Sequence, residues 1–226
     1  MHSNKTDTNI NSIRKSRILR YRIKASLILL ASLPLYFIIE GWMGLLKLLL
    51  FFTRWGYIMT IVYFFIALTL KDDSRHINRL ASFFHLVYVS EIFITVGFWL
   101  IIAPFADKSI TNNNSLYIGG GSSISILLKK IIYIFLHTVP CLLLVIEQRN
   151  VRYVLKYKNI WNILGLFSFY GIFNTIWEVY RGYNIYPFVF KSFVHRVGFT
   201  IAIFALLICC FCLSLWIRKS SKCKIN

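Results

Sequence analysis

Six apolar stretches alternate with polar, mostly basic segments along the chain: about 25–41, within 44–70, about 82–105, 126–147, 160–180 and 195–217. A transmembrane helix needs about 20 consecutive, mostly apolar residues. The alternation therefore predicts an all-α protein, a polytopic transmembrane helical bundle of six spans. The membrane domain would occupy residues 25–217, with a basic segment at 1–24 and another at 218–226. Trp99, Trp161, Trp177 and Trp216 fall toward span ends, where aromatic belts sit. No internal repeat or matched pair of broken helices of the transporter kind is visible.

Composition agrees with the pattern. Of the 226 residues, 58% are hydrophobic and 15% charged, and the mean hydropathy is +0.64. A soluble domain carries about 25% charged residues, so the numbers argue against one soluble domain of this length and exclude a disordered chain. The net charge of +18 would in a soluble protein raise the question of nucleic acid. Here the basic residues flank apolar spans, where they set topology, so no nucleic-acid partner is expected. Counted by loops, 18 of the 26 Lys and Arg lie on one side: seven before the first span, three between the second and third, four between the fourth and fifth, and four after the sixth. The positive-inside bias predicts both termini cytosolic. Residues 1–24 are polar and basic for too long to be a cleavable signal, so the first span is expected to remain as an anchor.

Four of the five cysteines lie inside apolar segments and the fifth, Cys223, in the basic C-terminal segment; this is neither a disulfide framework nor a metal-ligand spacing. No metal or cofactor is expected. The polar stretch 106–123 reads as a flexible connector, with a glycosylation sequon at Asn113-Asn114-Ser115 on the predicted lumenal side.

Ionisable and polar groups within spans are costly and mark candidate function. They are Thr53 and Arg54 in the second span, His85 and Glu91 in the third, His137 in the fourth, and Asn174 and Glu178 in the fifth. Glu40 and Glu147 sit at span ends and read as solvated. At 1.5 Å per residue, a second span starting near Leu45 puts Thr53 about 12 Å from the lumenal face. On the same reckoning His137 lies about 13 Å deep, Asn174 about 9–10 Å, and Glu91 about 15 Å from the cytosolic face. Thr53, His137, Glu91 and Asn174 can thus meet in one layer. A threonine beside a histidine can act as nucleophile and base. Depth alone favours a packing reading: a membrane threonine bonds the carbonyl one turn back, and a histidine bridges two helices.

The run from His137 to Glu147, HTVPCLLLVIE, resembles the fourth-span motif of the androgen-induced protein family: His-Thr, a nearby proline, an apolar run, and Glu ten residues after the His. Phe52-Thr53 leading into Phe64-Phe65, Phe98-Trp99 followed by Asp107-Lys108, and Trp177 followed by Tyr186-Pro187 are similar to further family segments in the same order. The resemblance covers roughly residues 45–215. It implies a multi-span hydrolase of fatty-acid esters of hydroxy fatty acids in the endoplasmic reticulum, with Thr53 as nucleophile, His137 as base and a lipid substrate taken from the bilayer. His85, Glu91, Arg54 and the basic segment 1–24 depart from the family's pattern. In that mechanism Asn174 is the candidate oxyanion donor and Glu91 the candidate orienter of His137. Arg54 either holds a substrate carboxylate or snorkels to the lumenal face. Two other classes remain open on the residues: a non-enzymatic scaffold or regulatory protein, and a transporter with Glu91, His85 and His137 as a proton path. The oligomeric state is not legible.

Overall fold

A computed structural model of the chain describes residues 4–40, 50–70, 74–102, 123–151, 153, 156–181 and 193–222. Six α-helices lie among them: α1 (Asn4–Glu40), α2 (Phe52–Thr69), α3 (Ser74–Gly97), α4 (Ser123–Val151), α5 (Ile160–Arg181) and α6 (Phe193–Lys222). A π-helical turn, Phe98–Ile102, extends α3, and a 3₁₀ turn, Tyr157–Asn159, leads into α5. No strand occurs among the described residues. The helices follow the six apolar stretches one for one.

Five segments are long and apolar enough to cross a membrane: Ile13–Ile38, Phe52–Thr69, His76–Leu100, Lys130–Val151 and Tyr157–Tyr180. They mark the chain as an integral membrane protein. The described apolar part of α6 is shorter, Ile201–Leu215. The connector 106–122, with Asn113, and the Tyr186-Pro187 motif lie outside the described residues.

Helices α1 to α4 pack on one another, and α3 at their centre also receives α5 and α6. The core is aromatic: Tyr63, Phe64, Phe84 and Tyr88 are fully buried, with Phe84 stacked on Tyr88 and tilted against Tyr63 and Tyr153. In lipid, association comes from such packing and from polar contacts between helices.

Two features differ from the sequence expectation. First, the basic segment 1–24 is not a separate tail. It is helical from Asn4 and continuous with the first span in α1, because nothing between residues 4 and 33 breaks a helix and Pro34 is accommodated within it. Second, Glu147 is not solvated. It is fully buried, and Arg22 of α1 reaches it with Nε and Nη2 at 2.9 and 2.8 Å. Tyr63 donates to the same Glu147 oxygen at 2.8 Å, and Arg22 also donates to the Ala67 carbonyl and the Tyr153 hydroxyl. A buried charge persists where it is paired and hydrogen-bonded. The latch therefore joins α1, α2 and α4 at one end of the bundle.

The start of α2 positions the site. The backbone is extended at Phe51 (φ −92°, ψ 128°), with no side-chain cap of its own. Tyr170 of α5 stands in for the cap: its hydroxyl donates to Leu50 O at 2.7 Å and accepts from Phe52 N–H at 3.1 Å. Phe52 packs on Phe167 and Tyr170, and Trp55 on Tyr170 and Phe173. The helix that carries Thr53 thus begins at Phe52, not near Leu45. Thr53 lies in its first turn, and Leu45, from which its depth is counted, lies outside the described residues.

Candidate active site

Thr53 is half-buried at the start of α2, and His137 is buried in the middle of α4. Their side chains meet: Thr53 Oγ1 lies 3.3 Å from His137 Nε2. The other ring nitrogen decides the proton inventory. Nδ1 lies 2.6 Å from the carbonyl oxygen of Tyr133, one turn earlier on α4. A carbonyl can only accept, so Nδ1 carries the hydrogen and donates it. In the neutral imidazole Nε2 is then the acceptor, and the Thr53 hydroxyl is its donor. A hydroxyl facing an unprotonated imidazole nitrogen is the arrangement that nucleophile activation needs.

Packing fixes the ring. Phe98, from the π-helical turn after α3, stacks on His137 with centroids 3.8 Å apart and an interplanar angle of 18°. The neighbouring Trp99 donates its Nε1–H to Thr138 Oγ1 at 3.2 Å. Phe98-Trp99 and His137-Thr138 therefore meet residue by residue. Thr95 donates to the His137 carbonyl at 2.6 Å. Pro140, inside α4, lacks the N–H that would bond Leu136 O, so the helix is loosened one turn after the histidine.

Arg54 is 3% exposed. It does not snorkel. Its guanidinium lies 4.4 Å from the ring centroid of Tyr36 and 5.7 Å from that of Tyr133, and Nη1 is buried with no hydrogen-bond partner among the described residues. The aromatic faces explain why it stays inside: a cation over a ring gains on the order of 2 kcal/mol when desolvated. The residue on which His137 Nδ1 rests, Tyr133, is thus also one wall of the Arg54 site.

Glu91 is fully buried but does not orient His137. Its Oε1 accepts from Thr60 Oγ1 at 3.3 Å and lies against Gly56, where an added Cβ would stand 2.5 Å away. The position it was expected to fill belongs to Tyr133 O. The reason is register: Gly56 and Thr60 lie one and two turns beyond Thr53 on α2, so the carboxyl sits farther along the helix pair than the imidazole. Asn174 is half-buried on α5, with Oδ1 unpartnered, and makes no hydrogen bond to Thr53 or His137 among the described residues. His85 is bonded instead by Asn159 Nδ2 at 2.8 Å.

Sequence reasoning missed Tyr133, Tyr36 and Tyr170. Tyr133 had a signal, since residues four apart on a helix share a face. Tyr36 and Tyr170 had none, because their positions follow from the packing of α1 and α5 on α2. Comparison with protein-family models, with curated proteins and with solved structures finds no match to this chain.

Proposed function

We propose that this chain is a membrane hydrolase of lipid carboxylic esters, acting through Thr53 as nucleophile and His137 as base. The observation that carries the reading is the 3.3 Å approach of Thr53 Oγ1 to His137 Nε2, with Nδ1 committed to the Tyr133 carbonyl. Thr53 Oγ attacks the ester carbonyl as Nε2 takes its proton. The alcohol leaves with that proton, and an acyl-threonine remains. Water then attacks the acyl group, His137 again accepts the proton, and the fatty acid is released.

Asn174 remains the side-chain candidate for oxyanion donor in this reading, and the start of α2 offers a backbone one. Thr53 is the second residue of α2, so its own backbone N–H has no intrahelical acceptor and stands at the positive end of the helix dipole. Arg54 supplies a buried positive charge on the next residue. Together they favour a substrate that carries or develops negative charge beside Thr53. The resemblance to the androgen-induced protein family suggests fatty-acid esters of hydroxy fatty acids as that substrate and the endoplasmic reticulum as the compartment. The 30-residue length of α6 and the basic flanks support six spans with both termini cytosolic. The acyl chains would lie between helices, in lipid.

The test is hydrolysis of a fatty-acid ester of a hydroxy fatty acid by purified protein, wild type beside Thr53→Ala and His137→Ala. Loss of activity in both variants, with folding intact, supports the threonine hydrolase. Activity that survives both removes the site, and an inactive wild type across a panel of such esters favours the scaffold class.

A further inference from the structure

A second site stands at the other, basic end of the bundle. A cavity of about 330 Å³ is lined by Arg14, Arg17 and Ile18 of α1 and by Arg149 and Asn150 at the end of α4. Arg14 and Arg17 lie one turn apart on one face of α1. Arg14 Nη2 donates to Asn150 O at 3.3 Å, which ties the two walls together. That bond uses one of its five donors, leaving the rest of its fork and those of Arg17 and Arg149 without a partner among the described residues.

The charge of this cavity is not balanced by its walls. Among the described residues no carboxylate lines it. The nearby Glu147 is turned away and committed to Arg22 and Tyr63. Three guanidinium groups around one hollow repel one another, and an anion of more than one charge relieves that repulsion. Planar guanidinium forks match phosphate oxygens in pairs, and the volume lies at the lower end of ordinary ligand pockets.

Height identifies the source of the phosphate. The apolar stretch of α4 ends at Glu147, and Arg149 and Asn150 follow directly, so the α4 wall of the cavity stands at the edge of that span. The cavity therefore opens at the level of the headgroups.

We propose that this pocket binds the phosphomonoester headgroup of an anionic lipid in the leaflet on that side of the membrane. The site is independent of the Thr53–His137 reading. The test places the full-length chain in phosphatidylcholine nanodiscs containing phosphatidylinositol 4-phosphate, or phosphatidylserine at matched total charge, and measures bound lipid by native mass spectrometry. Wild type is expected to hold the phosphomonoester lipid in preference to phosphatidylserine, and R17Q/R149Q to hold it about tenfold or more weakly. An unchanged unfolding temperature in plain phosphatidylcholine would certify the variant's fold. R17K/R149K keeps the charge without the planar forks and is expected to lose the preference while remaining folded. Equal binding of phosphatidylserine, or full retention by R17Q/R149Q, overturns the proposal. Saturation by soluble inositol phosphate at the same concentration as the lipid overturns the lipid source.

Discussion

The ring of Phe98 lies nearly flat on the imidazole of His137, at 3.8 Å between centroids. Together with the Tyr133 carbonyl it leaves the histidine one orientation. Phe98→Ala removes the stack without touching a reacting atom. The expected result is a turnover lower by up to about a hundredfold, the scale on which a small misplacement of a catalytic group is felt, with little change in KM. Steady-state kinetics on the ester substrate would check it, and an unchanged kcat would show that Tyr133 alone suffices.

Thr53 and His137 act as one unit if they are nucleophile and base. Thr53→Ala and His137→Ala are each expected to lower kcat by several orders of magnitude, and the double variant to be no worse than either single one. Thr53→Ser keeps the hydroxyl and should retain acylation. Trapping of the acyl-enzyme by mass spectrometry distinguishes it from Thr53→Ala.

Arg54 gives a sharper separation of stability from function. Among the described residues Arg54 has no carboxylate partner, and hydrophobic replacements of buried charges are often neutral or stabilising. Arg54→Met is therefore expected to keep or raise the unfolding temperature while lowering hydrolysis of substrates with a free carboxylate more than of their methyl esters. A melting curve beside paired kinetics reads both effects, and equal loss on the two substrates would limit Arg54 to packing.

The latch between Arg22 and Glu147 predicts the reverse. Glu147→Ala strands the arginine and is expected to destabilise the protein by about 3–5 kcal/mol. Arg22→Met with Glu147→Leu removes both charges and should recover most of that loss. Thermal unfolding of the two variants in detergent would check it. If Glu147→Ala melts like the wild type, the pair is not holding the bundle.

Glu91→Gln is expected to leave kcat within about twofold, since Thr60 and not His137 faces the carboxyl; no free-energy cost passes to the reacting atoms. Gly56→Val, by contrast, drives a branched side chain into Glu91 Oε1 and Ile94 Cδ1, each 2.5 Å from the first added carbon. Overpacking of that kind costs about 1–3 kcal/mol, read as a lower unfolding temperature with residual activity.

Much of this architecture is legible in the sequence because the bilayer imposes it. An apolar run of about 20 residues has to be a helix, and the positions of α1 to α6 follow. The meeting of Thr53 with His137 agrees with the pairing that depth allows, although the helix that carries Thr53 starts only at Phe52. The break at Phe51 depends on Tyr170, 119 positions away, and no local pattern announces it. Partner choice inside the bundle was equally hidden. Glu91 and Glu147 are both acids within or beside spans, yet one faces Thr60 and the other Arg22. Which helix faces deliver those partners is decided by packing, not by periodicity.

The latch also has a history in time. Arg22 and Glu147 are 125 residues apart, and chains are made from the N-terminus at about 5–20 residues per second. For several seconds of synthesis α1 carries its arginine with no counter-ion, until α4 emerges and delivers one. The contacts that tie α1 to α2 and α4 through Arg22 are therefore complete only once α4 has been made.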